Sequence, residues 1–200
     1  MIKYNEIFDT NTATGLMNMI FNARTFWRDA AFWMQSYIIS YVEELEIKDA
    51  ISQTLRRTPS GFGNTMRLFF GDQVTNNYTS YLTDYLIALE SFIAAVKSGD
   101  RNAANQYLNQ LRSNINTRAA MLAQINPFWS ENEWKNLFNR FLDLLVQQLE
   151  TYLSKDYTRY VDMFERLLSH TTRMGDYYSD GLYKYLTYSA QQPLMPKQCY

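Results

Sequence analysis

Two hundred residues suit one domain with a sizeable core, and a 46% hydrophobic share with 7 Gly and 4 Pro marks a globular chain, not a disordered one. With 19 basic and 20 acidic residues the formal charge is −1, so no basic field of the kind that holds nucleic acid or anionic lipid is expected. One cysteine, Cys199, excludes an internal disulfide framework and a cysteine-rich metal site, and its place next to last does not fit a prenylation box.

Residues 1–14 carry Lys3, Glu6 and Asp9 with no continuous apolar run, which reads as a loosely held arm without a secretory signal; cytoplasm is the default location. From about Leu16 to Glu44 apolar residues recur at helical spacing through Ile20, Ala23, Trp27, Met34, Ile38 and Tyr41. Phe26, Phe32, Trp33 and Tyr37 widen that face until the helix is apolar round most of its circumference, as expected when several neighbours contact it. Arg24, Arg28 and Asp29 would be costly in a bilayer, so the stretch reads as a buried helix and not a membrane span. Glu46 to Arg57 predicts a short helix broken by Thr58-Pro59-Ser60-Gly61, and Phe62 to Phe70 another, ended by Gly71.

A third long element begins near Asp72 and presents Tyr78, Leu82, Tyr85, Leu86 and Leu89; Gly99 reads as its terminating residue and Asp100 as the next N-cap. The helix from Arg101 ends near Ile125, because Pro127 has no backbone N–H and drives the residue before it out of helical geometry. Ser130 and Glu133 have capping-box spacing, and Phe128 and Trp129 are placed to pack back onto Trp134. The fifth long pattern runs from Trp134 to Leu153, and the sixth starts after Asp156 and fades before Pro193.

Shifting the third helix by 56 positions (134 − 78) lays Tyr78 on Trp134, Leu82 on Phe138, Tyr85 on Phe141, Ser98 on Ser154 and Asp100 on Asp156. Two related helical hairpins are suggested, although amphipathic helices also match through periodicity alone. The expected fold is all-α: an antiparallel up-and-down bundle of four main long helices plus shorter ones, with an arm at 1–14, one bundle domain over 15–188 and a tail at 189–200.

Chemistry has few places to reside. Bundle metal centres need inward carboxylates and Glu-x-x-His pairs, yet His170 is the only histidine and falls off its helix's apolar stripe, which predicts a surface residue. Asp84, Glu90, Asp143 and Glu150 fall beside their stripes, as on a solvated face. A nucleophile–imidazole–acid set could be built only around His170. Gly61-Phe62-Gly63-Asn64 lacks both the strand and the Lys-Ser/Thr of a phosphate loop. Asn114 and Arg118, one turn apart on or near the apolar stripe, allow two readings: an arginine snorkelling to the bundle edge, or a buried polar pair that fixes register or holds an anionic group.

From Phe26 to about Leu182 the chain resembles a family of small helical-bundle proteins of Bacillus-like and clostridial bacteria for which no biochemical function is established. The matching signatures are Leu55-Arg56-Arg57-Thr58-Pro59, Phe69-Phe70-Gly71-Asp72, Leu82-Thr83-Asp84-Tyr85-Leu86, Lys97-Ser98-Gly99-Asp100, Asn126-Pro127-Phe128-Trp129-Ser130, Asp156-Tyr157 and Met174-Gly175-Asp176. The resemblance implies a bundle whose relatives place histidines at the positions of Ala30, Tyr85, Phe141 and Leu168 and an acid at that of Tyr160, a pattern suited to a metal or polar ligand. Apolar and aromatic residues replace them here, so metal chemistry is not expected to carry over.

The function expected is therefore a non-enzymatic binding or structural module that uses aromatic surface, rich in Tyr toward Tyr188, for an unknown protein partner or for self-association. A metal-dependent, ferritin-like bundle is one alternative, and a carrier of a small apolar ligand is another. Its interior cluster would comprise Trp27, Ala30, Tyr85, Asn114, Arg118, Phe141, Tyr160 and Phe164, with no cofactor, no catalytic residue and no metal ligand assigned.

Overall fold

A computed structural model describes residues 13–191. They form α1 (Ala13–Val42), α2 (Lys48–Leu55), α3 (Thr58–Ser98), α4 (Arg101–Ile125), α5 (Glu131–Leu153) and α6 (Tyr157–Gln191). No strand occurs among the described residues, so the all-α expectation holds; the predicted arm lies largely, and most of the tail, outside them.

The expected break at Thr58–Gly61 is displaced. The chain turns at Arg56-Arg57 and α3 begins at Thr58, with Pro59 in its first turn, where a missing N–H removes a donor that would have no helical partner. Gly71 does interrupt the helix: φ 76°, ψ 179° is open to glycine, and it divides α3 into a front segment, 58–70, and a long rear segment, 72–98.

The rear of α3 with α4 forms one antiparallel hairpin, and α5 with α6 a second. Their turns are built alike. The Asp100 N–H donates to the Ala95 carbonyl and the Asp156 N–H to the Thr151 carbonyl, both at 3.0 Å. Gly99 and Lys155 occupy the left-handed region at φ 76° and φ 61°. Asp100 and Asp156 then cap the return helices, accepting from the N–H groups of Ala103 and Arg159. Further down, the Asn114 amide donates to the Tyr81 carbonyl and the His170 Nε2–H to the Leu137 carbonyl, each at 2.8 Å across 33 positions. Those four residues are themselves related by the 56-position shift. Periodicity alone does not reproduce a specific cross-helix hydrogen bond, so the echo is structural.

The helix α1 lies along α6 and also meets α2, α3 and α5, which accounts for its wide apolar circumference. The helices α1 and α6 come close at Gly175, where an added Cβ would stand 2.7 Å from the N and Cα of Arg24. At the corner the buried Asn126 side chain donates to the Gly181 carbonyl and accepts from the Phe128 N–H, tying the α4–α5 connection to α6. Ser130 caps α5 by accepting from the Glu133 N–H, but the capping box is half-formed: the Ser130 N–H donates to the Tyr177 hydroxyl at 2.6 Å. Trp129 packs edge-on against Trp134, as expected, whereas Phe128 goes to Tyr188.

Candidate functional site

The two hairpins meet α1 around a cavity of about 30 Å³. Its walls come in shift-related pairs, Tyr85 with Phe141, Leu82 with Phe138, and Arg118 with Met174, so it lies where the like halves face one another. Trp27, Ala30 and Met34 of α1 cover one side, and Thr58 and Pro59 at the start of α3 another. A second pocket of about 370 Å³ adjoins it, lined by α1, the front segment of α3 and the far part of α6. Phe26 lines both, and its ring stands 4.5 Å from that of Phe62 at the boundary.

Arg118 is the one charged residue in the inner wall, and it is 3% exposed. Its Nε–H donates to the Asn114 Oδ1 at 2.8 Å, and the Asn114 amide, held by the Tyr81 carbonyl, fixes that acceptor in place. The guanidinium carbon lies 4.5 Å from the ring centroids of both Tyr85 and Phe138, so two π-faces attract the charge. Among the described residues no carboxylate forms an ion pair with it. Burial pushes the Tyr85 phenol up to about 12, against the pull of the Arg118 charge. The nearby Tyr78 phenol is raised for the same reason and opposed by the same cation. Neither phenol ionises near neutrality. The indole N–H of Trp27 is buried without a hydrogen-bond partner.

Of the residues expected in an interior cluster, Trp27, Ala30, Tyr85, Arg118 and Phe141 line the cavity, and Asn114 supports it through Arg118. Tyr160 and Phe164 do not line it. Both lie on α6 toward its start: at 1.5 Å per residue the 14 positions from Tyr160 to Met174 are roughly 21 Å. Tyr160 instead packs on Tyr152 with ring centroids 5.0 Å apart. Arg118 does not snorkel; the buried-pair reading is the one realised. Met34, Phe138 and Met174 also line the cavity; periodicity puts all three on apolar stripes but does not separate them from the rest of the core, although the shift that relates Arg118 to Met174 is readable in the sequence.

Two further expectations are corrected. His170 is buried at 8% exposure, because α6 is covered by α1 on one side and α5 on another, so its buried arc is wider than one stripe. Its Nε2 donates to a carbonyl and must carry the proton. Burial lowers its pKa, partly countered by that hydrogen bond and reinforced by Arg140 and Arg173. Glu90 is buried too, covered by α2: it accepts from the Ser52 hydroxyl at 2.7 Å and pairs with Arg56. Asp84 and Glu150 do face solvent, and Asp143 is half-exposed and pairs with Arg112 at 2.9 Å.

Among the described residues, no group of three or more His, Cys, Asp or Glu is arranged to hold a metal ion, and no helix is long and apolar enough to cross a membrane. Fold and site together define an all-α bundle of two like hairpins that enclose an aromatic cavity bearing a single cation. No known protein family, curated protein or solved structure matches the chain.

Proposed function

We propose that the chain is a non-enzymatic binding module whose ligand site is the cavity between the two hairpins and α1. The observation that carries this reading is the combination of Arg118, held by Asn114 and two aromatic faces, with an otherwise apolar wall and a larger pocket next door. Small-molecule sites have this composition: mostly apolar surface and a few fixed polar groups that orient the ligand. Native mass spectrometry of the gently purified protein tests it. The expected result is a co-purified small molecule on the wild type that is missing from Ala30→Leu, whose larger side chain fills the inner cavity. A wild-type protein that carries nothing and takes up no apolar probe would overturn the reading.

A second mode of binding has its own support. Met17, Phe21 and Phe32 are 68%, 67% and 53% exposed and, at helical spacing, fall within about 60° of one another on α1. Such a face suits self-association or a protein partner. Light scattering coupled to size exclusion should then show a concentration-dependent dimer that Phe21→Ser and Phe32→Ser together abolish; a strict monomer at all concentrations counts against it.

A further inference from the structure

We infer that the ligand of the interior site is a monocarboxylate with an apolar body, its carboxylate on Arg118 and its hydrocarbon directed past Phe26 toward the larger pocket. This rests on the ligand-binding reading above and gives it a chemical class.

The charge argument comes first. An ionised side chain removed from water is stable only when paired or otherwise compensated. Arg118 donates to an uncharged amide and lies against two π-faces, and no acid among the described residues forms an ion pair with it. Guanidinium carries five N–H donors, and the Nε–H is taken by Asn114. Around the same cavity stands Trp27, whose buried indole N–H has no acceptor. The orphaned group is thus a donor. A carboxylate is planar, carries one negative charge and offers two acceptor oxygens to the guanidinium fork.

The size argument follows. An inner cavity of about 30 Å³ has room for a group of a few atoms and no more, since one water needs about 10–15 Å³. The adjoining pocket of about 370 Å³ suits the body of a larger molecule and is lined by Met19, Ala23, Phe62, Phe69 and Leu182 among others. Phe26 and Phe62 stand between the two. Phe62 belongs to the front segment of α3, which is set off from the rear by the left-handed backbone at Gly71. Met34 and Met174, unbranched and adaptable, are well suited to a wall that must yield to a headgroup.

The test uses decanoate, the matched neutral chain decanol, and acetate, titrated into the full-length protein below the aggregation concentration of each. The intrinsic tryptophan emission, to which Trp27 in the cavity wall contributes, reports occupancy, and native mass spectrometry reports stoichiometry. The expected result is one decanoate per chain, bound about tenfold or more tightly than decanol because a charge-assisted pair is formed, with acetate weaker still. Arg118→Met should reduce decanoate to the affinity of decanol, and Arg118→Lys should retain part of the preference. Equal affinity for decanoate and decanol, with no effect of Arg118→Met, would overturn the carboxylate assignment and leave the binding-module reading standing. Acetate binding as tightly as decanoate would remove the apolar body, and failure of all three probes to bind would count against the interior site itself.

Discussion

The contact of α1 with α6 makes a sharp prediction about one methyl group. In Gly175→Ala the new Cβ would stand 2.7 Å from Arg24 N and Cα and 3.0 Å from the Ala23 carbonyl carbon. Carbon atoms rest at about 3.5–4.0 Å, so the two helices must separate locally by about 1 Å. The atoms met are backbone and cannot rotate away. Overpacking costs about 1–3 kcal/mol, and contacts with backbone atoms that cannot give place this case in the upper part of that range, about 2–3 kcal/mol. Replacing a helical glycine by alanine recovers about 1 kcal/mol of backbone propensity, which leaves a net loss of about 1–2 kcal/mol. For a chain of this size that corresponds to a melting temperature lower by about 2–8 °C. Gly61 is the control, because a Cβ there meets nothing within 4 Å. Gly61→Ala should gain up to about 1 kcal/mol from the same propensity term. Urea unfolding followed by circular dichroism reads both variants. If Gly175→Ala proves as stable as the wild type, the helices do not approach as closely as described and the reasoning fails.

Three other expectations concern stability. Burial holds the His170 pKa below its ordinary value, so the unfolded chain binds the proton more readily; stability from the neutral ring is complete above about pH 6.5 and is lost as pH falls through the folded-state pKa. His170→Asn, which installs the side chain found at the related position 114, should flatten the wild-type loss between pH 7.5 and 5.5 in urea titrations. Lys155→Gly relieves the left-handed backbone at φ 61° and should raise the urea midpoint by the equivalent of about 0.5–1 kcal/mol, after the greater unfolded-state freedom of glycine is subtracted. Arg56→Ala leaves the Glu90 carboxylate, 7% exposed, with Ser52 alone; a loss of about 2–3 kcal/mol is expected, less than for a fully buried pair because Arg56 is half in water. An unchanged unfolding midpoint would show that water already solvates that carboxylate.

Local chemistry made much of this architecture readable. Pro127, Gly99 and the caps at Asp100, Ser130 and Asp156 act through neighbours within a few residues, so helix ends could be placed from adjacent letters. The pairing of the two hairpins was legible for a different reason, since a shift of 56 preserves both the apolar spacing and the turn residues. Burial of polar groups was not legible in the same way. A stripe shows one buried face, whereas α6 is covered from two directions and Glu90 is covered by the short α2, whose docking place is a tertiary fact. Arg118 fell between these cases: the stripe put it at the interior, and only the carbonyl of Tyr81, acting through Asn114, shows why it stays there. Tyr160 was assigned to the site through the resemblance, and its position along α6 places it at another level of the bundle.

The indoles of Trp27, Trp129 and Trp134 form a single optical unit. Trp134 lies 6.5 Å from Trp27 and 5.9 Å from Trp129, while Trp129 stacks on Tyr178 at 5.0 Å. Chromophores this close share excitation, so the near-ultraviolet dichroism should carry a strong coupled band in place of three separate weak ones. That band depends on the angles between rings and not on helix content. It would vanish first if the molecule loosened while its helices survived, which gives the native packing a spectroscopic signature of its own.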